Sequence, residues 1–324
     1  MVARAFVFPG QGSQSVGMGR DLFDQVTEAR RVFEAVDEAL GERLSRVVFE
    51  GPDEELRLTR NAQPALMACG IAALSALEVE SGLKTAEIAH LVAGHSLGEY
   101  TALVAAGALG LDDAARLLRL RGEAMQAAVP VGEGAMAAIL GLELETVVEL
   151  AERVGEAGDL DVANDNAPGQ VVVSGRRPAV ERAVALAKEA GARRSMMLPV
   201  SAPFHCRLMA PAAERLQAAL AEVELKEPAV PVVTNVTAAP ETSPSILKEL
   251  LVQQVTARVR WRESVLAMTE RGVEQTVELG AGRVLSGLTR RIAKDLDAVA
   301  LGTQDEVRSF ARQLVPAFAP GADG

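Results

Sequence analysis

Cysteine is scarce in this chain. Two residues, Cys69 and Cys206, cannot form a disulfide framework, and free thiols point to a reducing compartment, the cytoplasm. Aromatic residues make up only 3% of the 324 positions, so the core must be built from Ala, Val, Leu and Met. Positive charge is in deficit. The 33 Lys and Arg against 44 Asp and Glu leave a net charge of −11, which argues against nucleic-acid binding, because phosphate contacts need a basic surface. The apolar stretches meet a charge or a glycine well before 18 residues, so no membrane span is expected. The opening MVARAFVFPG is unlike a signal peptide, and the letters Asn235-Val236-Thr237 form a glycosylation sequon by spelling only. No spacing of Cys, His and carboxylate matches a metal site. What is present is 49% hydrophobic and 24% charged, the balance of a globular protein of one large or two modest domains.

Strand and helix signals alternate from the start. RAFVFPG reads as a buried strand stopped by Pro9-Gly10, and a glycine turn leads into an amphipathic run from about Leu22 to Leu40. Helical patterns cover about Gln63–Leu77 and Thr101–Val129, with the strand EIAHLVAG between them. This alternation predicts a parallel sheet covered by helices. Residues 132–200 have a different order. GAMAAILGL, DLDVAND, QVVVSG and ARRSMMLPV read as strands, with helices after the first and the third. That is β-α-β-β-α-β, the ferredoxin-like unit. The parallel pattern then resumes with the helix APAAERLQAALAEV, the strand PAVPVVTNVT and the strand-turn-helix GVEQTVELGAGRVLSGLTRRI. The expected fold is α/β. A large α/β-hydrolase-like parallel-sheet domain covers 1–131 and 201–316. A small ferredoxin-like subdomain, 132–200, is inserted in it, and a frayed tail covers 317–324.

The stretch HLVAGHSLGEY carries Gly94-His95-Ser96-Leu97-Gly98 between a strand and a helix. Gly-x-Ser-x-Gly in that context favours a strained turn that exposes one serine hydroxyl. A serine needs a base, and the chain offers only His90, His95 and His205. His90 precedes the strand. His95 neighbours Ser96, where adjacent side chains diverge, so it reads as support for the turn. His205, in the loop PVSAPFHCRLMAP, is left as the best-placed candidate. A third member is less clear. Asp161 and Asp165 lie between serine and histidine but inside the inserted unit, so an imidazole oriented by a backbone group stands beside the triad reading. Arg116, Arg119 and Arg121 share a leucine-rich helix but not one narrow stripe, so one of them can point inward. An inward arginine facing the serine would pair with a substrate carboxylate. The loop FPGQGSQ lacks a phosphate-loop pattern, and its backbone could instead supply an oxyanion donor.

Taken together, FPGQGSQ at 8–14, GHSLGEY at 94–100, Arg121, NDNAPGQVVVSG at 164–175, SAPFHC at 201–206, Gln254 ahead of Trp261 and ELGAGRVLSGL at 278–288 resemble one family over nearly the whole chain. It is the malonyl-CoA:acyl-carrier-protein transacylases of fatty-acid synthesis, which share their fold with the acyltransferase domains of polyketide synthases. The resemblance implies that Ser96 carries malonyl as an ester and that His205 is general base and then acid. It implies that the amides of Gln11 and Leu97 form the oxyanion hole, that Arg121 binds the malonyl carboxylate, and that Gln254 orients His205. It places Asn166 on the cleft between subdomains, with His95 and Phe204 in the pocket. Leu97 and Phe204 look like a malonyl-type pocket that would crowd an α-methyl branch. It implies malonyl-CoA as substrate, no permanently bound cofactor, holo acyl carrier protein as partner, and a monomer. A polyketide acyltransferase, a serine esterase or thioesterase, and a non-enzymatic CoA- or carrier-binding scaffold are the rival readings. One departure is Arg258-Val259-Arg260-Trp261, where the family often has Pro-Val-x-Trp. Because the chain is acidic, docking of an acidic carrier needs a local basic surface. Arg193, Arg194, Arg290, Arg291 and Lys294 are expected to include it.

Overall fold

The computed structural model describes residues 2–154 and 159–315; the tail expected to fray lies outside them. Ten strands occur among the described residues: β1 (Arg4–Phe8), β2 (Leu91–Gly94), β3 (Gly134–Leu140), β4 (Leu160–Ala167), β5 (Gln170–Arg176), β6 (Arg194–Met197), β7 (Val232–Val233), β8 (Pro240–Glu241), β9 (Gln275–Leu279) and β10 (Asp297–Leu301). They form two sheets, ordered β10-β9-β1-β2-β7-β8 and β4-β5-β3-β6.

In the first sheet every pairing is parallel except β7 with β8. β1 and β2 sit at its centre and are buried on both faces, which explains their continuous apolar runs. Their register pairs Phe8 with Gly94. The loops Pro9–Gln14 and His95–Leu97 therefore leave the same carboxyl edge of neighbouring strands, the usual place for a site in a parallel sheet.

The second sheet is antiparallel throughout. Its order is the ferredoxin-like arrangement expected for 132–200. It has its own apolar cluster, including Ile139, Val147, Leu150, Val171, Val173 and Val180. Its other face sends Met136, Ala163 and Val172 into the main core. The small sheet thus forms a wall over the edge that carries the serine.

Several elements differ from expectation. The run expected at 101–129 is two helices, Gly98–Ala105 and Leu111–Ala127. Gly107, at φ 71°, turns the chain between them, a conformation glycine adopts without strain. The run at 22–40 is likewise split at Val26. The strand expected in PAVPVVTNVT shrinks to β7. β10 and the final helix Gln304–Leu314, which buries Val307, Phe310 and Ala311, were not expected. The helix Thr59–Ser81 is long and apolar enough to cross a membrane by length and composition, but 83% of its apolar window is buried within the protein. Burial among the surrounding helices, with the sheet on one side, accounts for that character.

Candidate active site

The Ser96 turn is built by the two glycines around it. A methyl group placed on Gly94 would lie 1.9 Å from the Gly98 carbonyl, and one on Gly98 would lie 2.2 Å from the Phe8 oxygen. Only two glycines let the strand, the turn and the next helix approach so closely. Ser96 is held at φ 54°, a strained conformation for a residue with a side chain, of the kind stored at functional sites.

Its hydroxyl lies 2.7 Å from Nε2 of His205, 109 positions later in the chain. His205 is also in the left-handed region, at φ 56°. Its Nδ1 is 2.9 Å from the backbone oxygen of Gln254. A carbonyl can only accept, so Nδ1 carries the proton and Nε2 is free to take one from serine. The ring is only 4% exposed. Burial, followed by the nearby Arg121 charge, lowers its pKa to about 3, so it is a neutral base at neutral pH.

The acid candidates are engaged elsewhere. Asp161 binds Arg207 at 2.8 Å and Asp165 binds Arg262 at 2.8 Å. The geometry is therefore a serine-histidine pair with a carbonyl in the third place. The polar group of Gln254 that meets His205 is its backbone oxygen, and its side chain points elsewhere. The Gln254 amide nitrogen donates to Glu99 at 2.8 Å and to the Ser96 oxygen at 3.1 Å. Its amide oxygen accepts from Arg121 at 2.9 Å.

Of the three arginines, Arg116 is exposed and paired with Asp113, and Arg119 reaches Asn61 and Glu42. Arg121 turns inward and is 2% exposed. Its guanidinium donates to Gln63 at 2.8 Å, to Gln254 at 2.9 Å and to the Ser96 hydroxyl at 3.1 Å. All three acceptors are neutral, and its Nε is buried without a partner. A buried cation whose hydrogen bonds all go to neutral groups is costly, and the nearby Glu99 carboxyl acts on it only through space. It leaves the site ready to take an anion beside the serine.

Serine, histidine and arginine open into a cavity of about 310 Å³ that Gln11, Leu97, Asn166 and Phe204 also line. Among the described residues, the backbone amides of Gln11 and Leu97 donate to no protein acceptor, so both are free for an oxygen entering the cavity. His95 bonds Asn166 of β4 at 2.8 Å and packs 5.7 Å from the Trp261 ring. It ties the turn to the small sheet, which fits a supporting role. The departing segment 258–261 runs beside β4, with the Val259 amide on the Ala163 oxygen, and leaves the Gln254 carbonyl on His205.

The expected basic surface is divided. Arg193 and Arg194 are exposed near the β4–β5 turn, and Arg291 binds Pro168 and Gln170 in that turn. Arg290 instead faces the Ala298 oxygen of β10. Three site residues were missed by sequence reasoning. Gln63 was visible as a polar residue in an apolar helix. Glu99 lay inside the quoted motif. Asn235, whose side chain accepts the Ser96 amide at 2.7 Å, carried only a false sequon.

A serine that can pass its proton to a neutral imidazole beside a guanidinium bonded only to neutral groups is suited to take an acyl group bearing its own anion, and this sets the chain among the serine acyltransferases. Residues 5–314 match the acyl transferase domain family. The malonyl CoA-acyl carrier protein transacylase of Bacillus subtilis is 48% identical over 304 residues, 94% of each chain. A crystal structure of acyl-carrier-protein S-malonyltransferase from Bartonella henselae is 52% identical, with a TM-score of 0.94 over 96% of this chain and 99% of its own. A malonyl-transacylase solved in complex with a type II polyketide-synthase acyl-carrier protein is 43% identical, with a TM-score of 0.92 over 96% and 99%. The chain belongs to the malonyl CoA-acyl carrier protein transacylase family.

Proposed function

We propose that this chain transfers malonyl from malonyl-CoA to the phosphopantetheine thiol of an acyl carrier protein through an ester on Ser96, supplying extender units for fatty-acid synthesis. The observation that carries the malonyl part is Arg121, a buried guanidinium 3.1 Å from the nucleophile with only neutral partners. A malonyl carboxylate would complete it as a charge-assisted pair.

The steps follow from the hydrogen bonds. Ser96 Oγ attacks the thioester carbonyl while its proton moves to His205 Nε2. The Gln254 carbonyl holds the Nδ1 proton and favours the imidazolium as it forms. The carbonyl oxygen becomes an oxyanion within reach of the Gln11 and Leu97 amides. The tetrahedral adduct collapses, the carbon-sulfur bond breaks, and CoA leaves with the proton from His205. The carrier thiol then gives its proton to His205 and attacks the ester. Ser96 departs and is reprotonated. Phe204, 8% exposed in the same cavity, would crowd an α-branched acyl group.

Intact mass spectrometry after mixing with malonyl-CoA tests this. One malonyl adduct is expected on the native chain and none on Ser96→Ala. An adduct that persists in Ser96→Ala would place the acyl group on another residue and end this reading.

A further inference from the structure

None of these steps uses a protein carboxylate, yet one lies wholly buried at their centre. Glu99, in the first turn of the helix after Ser96, is 0% exposed. Its Oε2 accepts from the backbone amide of Asn235 at 2.8 Å and from the side-chain amide of Gln254 at 2.8 Å. Its Oε1 is buried with no partner. Burial lifts the carboxyl to about 7, although the bonds from Asn235 and Gln254 and the charge of Arg121 draw it down. A group this costly to bury has a purpose in the site or in the fold.

Its partners reach every reacting group. Asn235 accepts the Ser96 amide through Oδ1 at 2.7 Å and donates to the Gly94 oxygen at 2.6 Å. Asn235 therefore clamps the serine turn on both sides. Gln254 holds His205 with its backbone oxygen at 2.9 Å and Arg121 with its side-chain oxygen at 2.9 Å. A glutamine amide can present either end to a neighbour, so its partners decide which way it faces. The Glu99 oxygen that faces Gln254 accepts only. Together with the Ser96 backbone oxygen at 3.1 Å, it draws the NH₂ end toward itself and leaves the oxygen toward the guanidinium, which only donates. If the amide turned round, an NH₂ group would face Arg121, and the cation would swing away from the substrate carboxylate.

We propose that Glu99 is the positioning residue of the transfer site, aiming Arg121 through Gln254 and holding the Ser96 turn through Asn235. The substrate side of this proposal rests on the malonyl-transfer reading; the orientation of Gln254 does not. The test is Glu99→Gln, which keeps shape and volume but offers Gln254 an amide that can present either end. Malonyl loading of Ser96 is expected to fall about 10- to 100-fold, the scale of one misplaced charge-assisted hydrogen bond. Acetyl loading should fall less, so that the malonyl preference drops at least about tenfold. In a Gln254→Ala background the same change should remove less than about threefold more, because the two act through one contact. Rates are scaled to the folded fraction measured by near-ultraviolet circular dichroism, which removes any loss of fold. Wild-type rates and preference in Glu99→Gln, or losses that multiply fully with Gln254→Ala, would overturn the proposal. If the native chain forms no malonyl ester, the transfer reading fails instead. The orientation is then judged by NMR of the Gln254 side-chain amide, whose signals Glu99→Gln must shift.

Discussion

Replacing Arg121 by alanine is expected to cut malonyl loading of Ser96 by about 10²- to 10³-fold and to change acetyl loading by no more than a few fold. The reason is the uneven position of the guanidinium. In the native chain it is buried, with three neutral acceptors and an unpartnered Nε. In the proposed reading a substrate carboxylate would supply a directly bonded charge, and removing one member of such a buried pair costs about 3–5 kcal/mol. Acetyl brings no carboxylate, so it never gains this interaction. A site built for a polar group rejects the analogue lacking it far more strongly than it rejects an extra methylene. Single-turnover loading with the two CoA esters measures the ratio directly. Equal losses for both acyl groups would mean that Arg121 supports the serine turn rather than recognising the substrate.

His205→Ala is expected to slow loading by on the order of 10²- to 10⁴-fold, the usual worth of a positioned general base. Substrate affinity should change little, because the ring bonds the serine hydroxyl at 2.7 Å and the proposed carboxylate partner is Arg121. The pH behaviour of the native ring is part of this account. Burial and Arg121 bring it to about 3, below the ordinary 6.5. The folded state therefore favours the neutral form, while the unfolded chain takes up the proton first. Stability from this group is fully present above 6.5 and is lost as pH falls toward 3. An imidazole NMR titration should find His205 neutral from pH 5 to 8. A half-protonation point near 6.5, or a loss below about tenfold in His205→Ala, would contradict the assignment.

Much of this site was legible in the letters because its parts are local. Ser96 announced itself through Gly94 and Gly98, whose missing side chains the backbone contacts require. The ferredoxin-like unit was legible because its strands and helices alternate with clear turn signals. Arg121 could be narrowed to one of three by helical geometry. What failed was long-range or short-lived in sequence. Asn235 meets Ser96 across 139 positions, and no local pattern marks such a contact. Gln254 was found, but a residue letter does not say whether its backbone or its side chain acts. The break between the helices ending at Ala105 and starting at Leu111 was overrun because Ala-Gly-Ala-Leu-Gly keeps an apolar pattern through the turn. β10 and the last helix pack into the fold from the end of the chain, beyond the motifs that carry chemistry.

The acyl group is expected to go to a thiol and not to water. Malonyl-enzyme freed of CoA can be mixed with holo acyl carrier protein, and both proteins weighed over time. Malonyl is expected to move to the carrier thiol while the enzyme returns to its unmodified mass, and the ester to last much longer when no carrier is added. Free malonate released at a rate the carrier does not change, with the carrier left unloaded, would contradict it and leave a hydrolase in its place.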